Sequence, residues 1–332
     1  MNRIPTLESK ATGMLPLTVL GFGCSAMGGR VSRKDSLSAL GSAFDAGINF
    51  FDTARSYGYG QAEGILGEFL AGRRDRVVVC TKFGILPSLQ GGWKQRLKPL
   101  ARGLVKAFPG LRGAVRKQAG TQFVGGQFSV QTLHSSFETS LRELRTDYVD
   151  MLLLHAAPIS VLEQDDLLEA MQQLVDQGKV RMAGISGDSE VILRYFEQRP
   201  AMLTTAQFAL NASNMEMVKT TTANNDLLLV GNHPYGGPTG AAGGKALIAS
   251  LNASPGFPQE LREKLDPADP QVLPEVLLNC ILNGTGVGAV VPAMMQLRHI
   301  QSNVRAVTEC RFTPAELALL RNRMQALAEK VG

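Results

Sequence analysis

The sequence predicts an α/β fold closed as a (β/α)8 barrel, the TIM barrel, and three observations carry that prediction. Short β-branched or leucine-rich runs recur along the 332-residue chain at 17–21, 48–52, 77–82, 149–155, 180–185, 203–207, 227–231 and 288–292. Such runs read as strands buried on both faces of a parallel sheet. Helix-length amphipathic stretches lie between most of them, as strand–helix–strand crossovers require. Several runs also end on a polar residue, and in a closed barrel the C-terminal strand ends converge on one face, where active sites lie.

Taken in order, residues before 17 form an N-terminal extension. The stretches 34–46, 62–70, 132–144 and 162–177 carry helical periodicity. A doubly wound dinucleotide fold would show Gly-x-Gly-x-x-Gly after its first strand. Here Gly21-Phe22-Gly23-Cys24-Ser25-Ala26 has alanine at the third position, so it fits only in part. No repeat or linker composition divides the chain, and 1–332 reads as one domain. Two connections exceed a plain strand-to-helix loop: 83–131, and 232–270, which is rich in Gly, Pro and Ala. Long loops at the catalytic face serve as lids or cofactor clamps.

A hydrophobic share of 44% suits a globular core. No apolar run approaches the roughly 20 residues that span a bilayer. Met1-Asn2-Arg3-Ile4-Pro5 lacks the continuous apolar core of a secretory signal. Cys24, Cys80, Cys280 and Cys310 have no paired spacing, so neither a disulfide framework nor a metal site is expected. Reduced thiols in a cytoplasmic protein are the simplest reading.

Asp52, Tyr57, Lys82 and His155 stand at or just past the ends of the second, third and fourth predicted strands. Each alone is ordinary: the Asp reads as a helix cap, the His as a core residue bonded to a carbonyl, the Tyr and Lys as common strand-end residues. Together, at matching ends, they fit the reduction of a carbonyl. A hydride must reach carbon, which a nicotinamide cofactor supplies, and a proton must reach oxygen. Tyr57 serves as the acid, and Lys82 lowers the phenol pKa by favouring phenolate. Asp52 keeps Lys82 charged, and His155 orients the carbonyl.

These residues sit in longer stretches: Leu20-Gly21-Phe22-Gly23-Cys24, Ala46-Gly47-Ile48-Asn49-Phe50-Phe51-Asp52-Thr53-Ala54, Tyr57-Gly58, Gln61-Ala62-Glu63-Gly64-Ile65-Leu66-Gly67, Thr81-Lys82, Ser140-Leu141-Arg142-Glu143-Leu144, Tyr148-Val149-Asp150, Leu154-His155 and Gly178-Lys179-Val180-Arg181. In this order and spacing the chain resembles the aldo-keto reductase family over nearly its full length. The resemblance implies a TIM barrel, NADP(H)-linked carbonyl chemistry and the same catalytic tetrad.

It also implies a cofactor site. Gly23, Cys24 and Asp52 are expected among its cofactor contacts. Ser186 and Gln207 match positions that hold the nicotinamide amide, while the family's Asn beside that Ser is Gly187 here. The ring-stacking position after strand seven is Asn232, with His233 and Tyr235 beside it as alternative rings. Gly236 and the glycines that follow suit either a pyrophosphate cradle or a plain loop. Asn303 matches an adenine contact. The base many members place after the strand-eight proline is Ala293, with Arg298 or His299 as replacement partners for a 2′-phosphate. NADPH is the expected cofactor on family grounds, and the residues themselves leave NADH open.

Net charge is +5, yet between Asp75 and Glu138 there is no acidic residue, while Lys94, Arg96, Lys98, Arg102, Lys106, Arg112, Arg116 and Lys117 crowd one segment. Their spacing predicts an amphipathic helical hairpin within an insertion at about 88–130. Three readings stand: a solvated face whose leucines pack on the barrel, a lid that attracts an anionic substrate, or docking on an anionic membrane or acidic partner. Trp93 and Phe108 alone interleave the bases, which argues against nucleic acid. The expected function is NADPH-dependent reduction of a small to medium aldehyde or ketone, one bearing a negative group included. The rivals are an alcohol dehydrogenase running in reverse and a non-catalytic cofactor-sensing subunit that docks on a partner.

Overall fold

A computed structural model describes residues 3–8, 15–87, 123–218, 227–236 and 240–328. Eight strands form one parallel sheet: β3 (Phe22–Gly23), β4 (Phe50–Asp52), β5 (Val78–Phe83), β8 (Val149–His155), β9 (Val180–Gly187), β10 (Leu203–Ala209), β11 (Leu228–Asn232) and β12 (Ala289–Val291). The sheet closes on itself. Gly21 and Gly23 donate backbone N–H groups to Val290 O at 2.8 Å and Pro292 O at 3.1 Å, and Val290 donates to Val19 O at 2.8 Å.

Two apolar layers follow from the period-two alternation of strand side chains. Phe50, Val78, Cys80, Met151, Leu153, Met182, Val230, Ala289 and Val291 form a cluster inside the barrel. Phe51, Val79, Leu152, Leu154, Ile185 and Phe208 belong to the larger cluster between the sheet and the helices. Continuing the inward set by two residues at the strand ends gives Asp52, Lys82, His155 and Asn232, and by four from Met182 gives Ser186, with Gln207 in register beside it on β10. The alternation that fills the core thus also aims the polar end residues at one point.

The helices around the sheet are α1 (Arg33–Asp45), α2 (Ala62–Leu70), α3 (Val130–Leu144), α4 (Asp165–Asp176), α5 (Ser189–Glu197), α6 (Gly240–Ala253), α7 (Gln259–Lys264), α8 (Val272–Leu282), α9 (Leu297–Thr308) and α10 (Pro314–Ala328). Side-chain oxygens of Ser32, Ser129 and Asp188 cap α1, α3 and α5 by accepting from Asp35, Thr132 and Val191 N–H groups. Between β10 and β11 the described residues form only a short 3-10 turn, Met215–Val218, and α10 packs against that turn, α6 and α8. Among the described residues no helix is long and apolar enough to cross a membrane.

The first strand differs from the sequence reading of 17–21. Leu17–Thr18 (β2) pairs antiparallel with Thr6–Leu7 (β1), outside the eight-stranded sheet. Leu17 is fully buried because it joins the cluster inside the barrel, so its hydrophobicity marks a plug and not a barrel strand. Gly21 leaves room for the Phe50 ring, which would lie 2.6 Å from a Cβ there. The connection after β11 also differs, since it contains α6 and α7 and is not one long loop. Gly244 lies on α6, where a Cβ would meet Leu273 of α8 at 2.6 Å, so it serves close helix packing. The other long connection starts and ends in a ribbon, β6 (Leu86–Pro87) antiparallel to β7 (Phe123–Val124). The expected basic hairpin, from Trp93 to Lys117, lies outside the described residues.

Candidate active site

Lys82 is the hub of the site. Its fully buried Nζ donates to Asp52 Oδ1 at 2.6 Å, to Thr53 O at 2.9 Å and to the Tyr57 hydroxyl at 3.3 Å. Three partners match the three N–H bonds of an ammonium. Tyr57 arrives from the loop after β4, and its ring meets the His155 ring edge-on with centroids 5.8 Å apart. All four residues singled out in the sequence therefore meet.

Charge is strongly shaped here. Burial pulls the Lys82 ammonium down, but Asp52, then Tyr57 and Cys80, outweigh it and raise its pKa overall. Burial and then the Lys82 charge push His155 down to about 3, so at neutral pH its ring is uncharged. Its buried Nδ1 has no hydrogen-bond partner among the described residues. For Tyr57 the sequence expectation needs correcting. Lys82 does pull its pKa down, but burial is the larger effect and the phenol is raised above its ordinary value. The proton stays on Tyr57, as a donor requires.

The profile of the aldo/keto reductase family matches residues 19–241. The chain belongs to this family. Aldo-keto reductase YhdN of Bacillus subtilis is 30% identical over 176 residues, which cover 51% of this chain and 43% of that protein. The chain spans about half the length of the curated relatives it matches. Among solved structures, the holo form of an aldo-keto reductase from Bacillus halodurans superposes with a TM-score of 0.70 at 22% identity, covering 98% of this chain and 96% of that one. An aldo-keto reductase of Klebsiella pneumoniae in complex with NADPH superposes with a TM-score of 0.64 at 22% identity, covering 97% and 96%.

For this aldo-keto reductase the residues expected to hold a cofactor fall into two sets. Ser186 and Gln207 are buried neighbours in register across β9 and β10. Ser186 Oγ donates to Gln207 Oε1 at 2.8 Å, and Gln207 Nε2 donates to Asp52 Oδ1 at 2.9 Å. They thus join the tetrad's network. Gly23 ends β3 and Cys24 follows it, with the Cys24 N–H donating to Asp52 O at 2.9 Å. Asn232 ends β11, and its side-chain oxygen lies 2.7 Å from Nδ1 of the exposed His233, which sits at φ 51°. Gly236, at φ 90°, closes that turn by donating to His233 O at 3.0 Å.

The second set is placed differently. Tyr235 turns outward to line a cleft of about 440 Å3 with Asn211, Pro234 and Leu277, and its hydroxyl donates to Asn303 Oδ1. Asn303, expected at an adenine, is buried, and its Nδ2 donates to Met294 Sδ at 3.3 Å. Both atoms of its amide are thus engaged, and the Tyr235–Asn303 pair ties the strand-seven turn to α9. Ala293, Arg298 and His299 are exposed at and just before the first turn of α9. Gln296 makes no side-chain cap there, which leaves the helix's first N–H groups available to an anion.

One brace went unrecognised in the sequence. Glu63 of α2 is 1% exposed and accepts from Arg55 at 2.6 Å and from Thr81 Oγ1 at 2.6 Å. Arg55 lies two residues before Tyr57, and Thr81 precedes Lys82. Glu63 therefore fastens the loop carrying the phenol to the strand carrying the ammonium. A glutamate in a helix's first turn looks like a surface residue in sequence, and only the run of small and apolar neighbours around it hinted otherwise.

Proposed function

We propose that this protein is an NADPH-dependent reductase of aldehydes and ketones, with Tyr57 donating the proton to the carbonyl oxygen. The observation that carries the reading is the placement of one buried ammonium, Lys82, against both Asp52 and Tyr57, beside an uncharged His155. A charged imidazole would repel Lys82; a neutral one can donate a hydrogen bond to a carbonyl oxygen and hold it near the phenol. As negative charge builds on that oxygen, Tyr57 yields its proton, and Lys82 stabilises the phenolate left behind. Asp52 holds the ammonium in place and keeps it charged.

The residues present fit a nicotinamide cofactor. Ser186 and Gln207 offer polar groups at the barrel's centre, and the uncapped start of α9 with Arg298 and His299 offers positive charge for a phosphate. When bound, the cofactor supplies the hydride. The NADPH bound to the Klebsiella relative supports the phosphorylated form. Ala293 brings no base, so only a modest preference over NADH is expected, and fluorescence titration with both cofactors reads it.

NADPH oxidation against a panel of aldehydes and ketones tests the function. Steady turnover with at least one carbonyl is expected. Tight cofactor binding with no turnover on any of them would favour a cofactor-sensing role instead.

A further inference from the structure

A cavity of about 400 Å3 opens beside Tyr57, and Arg30, Tyr59, Ile85 and Phe123 are among its lining residues. One wall is aromatic. Tyr59 and Phe123 stack with centroids 5.6 Å apart and planes 10° from parallel. Phe123 is 40% exposed, so ring surface remains open to a ligand.

The other notable lining group is a cation. Arg30 sits in the loop after β3, which folds back on itself as the Arg30 and Val31 N–H groups donate to Ala26 O at 3.1 and 3.0 Å. That loop touches the Tyr57 loop backbone to backbone. Gly58, at φ 59°, lies so close that a Cβ there would stand 1.9 Å from Met27 O. Arg30 is thereby anchored relative to the phenol. Among the described residues no carboxylate lines the cavity, and none pairs with the Arg30 guanidinium. Ile85 and Phe123 flank the 88–122 segment, which carries eight bases from Lys94 to Lys117 and no acid. That part of the sequence thus brings no carboxylate.

Resting on the carbonyl-reductase reading, we propose that the substrate bears a carboxylate remote from its carbonyl, which Arg30 pairs while the body lies against Tyr59 and Phe123. A guanidinium offers a planar fork that matches a carboxylate in a bidentate pair. The aromatic wall favours a flat, ring-containing body. The carboxylate is taken up from water by the Arg30 guanidinium and does no chemistry.

The test compares 4-formylbenzoate with its methyl ester, which keeps the ring and aldehyde but lacks the charge. The protein is expected to favour the acid by about tenfold in kcat/KM, in line with a partly exposed charged hydrogen bond. That ratio should shrink as salt rises. Arg30→Gln should collapse the ratio toward one, and Arg30→Lys should retain part of it. Binding of the alcohol product, 4-(hydroxymethyl)benzoate, against its own methyl ester reads the same preference without turnover. An acid no better than the ester in both measurements, or a ratio unmoved by Arg30→Gln, overturns the proposal while the reductase reading stands. Charge-selective product binding lost in Arg30→Gln, with no carbonyl reduced, keeps Arg30 as a carboxylate site and removes the reductase reading instead.

Discussion

Gln207 donates its amide N–H to Asp52 Oδ1 at 2.9 Å, on the same oxygen that receives the Lys82 ammonium at 2.6 Å. A group expected to hold the cofactor's amide thus also holds the carboxylate that keeps the lysine charged. Replacing Gln207 by Glu would set two carboxyls beside one ammonium, and one of them would keep its proton. Its folded pKa would rise above the ordinary value of about 4.3. Stability of Gln207→Glu relative to the parent should therefore fall as pH rises above that value, by up to about 1.4 kcal/mol per pH unit until the folded pKa is reached. Urea midpoints for both proteins at pH 5 and pH 8 check this; a pH-independent difference would show that the two side chains are not coupled.

The Glu63 brace should matter to rate as well as to stability. Glu63→Gln leaves Arg55 largely buried beside an uncharged amide, and breaking such a pair costs about 3–5 kcal/mol. The thermal midpoint should fall, and below it kcat should drop more than KM changes, because the Tyr57 loop loosens from the Lys82 strand. Glu63→Asp should recover part of both. A variant with a lowered midpoint but unaltered kcat would make Glu63 a packing residue only.

At the opposite end of β8, Asp150 is fully buried and accepts from Arg74 at 2.8 Å, Arg181 at 2.7 Å and the Val79 N–H at 2.8 Å. Both guanidiniums lie over the Tyr148 ring, at 3.8 and 4.2 Å. This cluster sits at the strand starts, where barrels keep stability rather than chemistry. Asp150→Asn should lower stability by about 3–5 kcal/mol. Steady-state kinetics well below its melting point should match the parent, and a change in KM would contradict the separation of the two ends.

The neutrality of His155 has a thermodynamic signature. Its folded pKa is about 3, against about 6.5 when unfolded. Between those values the unfolded chain binds a proton that the folded protein does not. Stability therefore falls as pH drops through this window, by up to about 1.4 kcal/mol per pH unit. His155→Gln should flatten that dependence. Unfolding curves from pH 7 to pH 4 for both proteins decide it, and parallel losses would mean that the ring is charged in the fold.

How much of this was legible in the sequence depends on what each residue answers to. Asp52, Lys82 and His155 were readable because strand alternation alone aims them inward, and Tyr57 follows Asp52 closely. Leu17 misled because a floor plug and a buried strand demand the same hydrophobicity. Gly244 misled because a glycine for helix contact looks like a glycine for a loop. Tyr235 and Asn303 are 68 residues apart, and no local pattern announces that they bond to each other. The direction of the Tyr57 shift was out of reach, because it turns on how deeply the phenol is buried, set against the nearby charge.

The central claim is that Tyr57 supplies the proton, and Tyr57→Phe tests it most directly, since the ring stays and only the hydroxyl goes. NADPH binding by fluorescence should change little, while kcat for the best carbonyl substrate should fall by about 10²–10⁴-fold, the usual worth of a positioned general acid. A Tyr57→Phe protein that binds NADPH and turns over at the parent's rate would contradict the account.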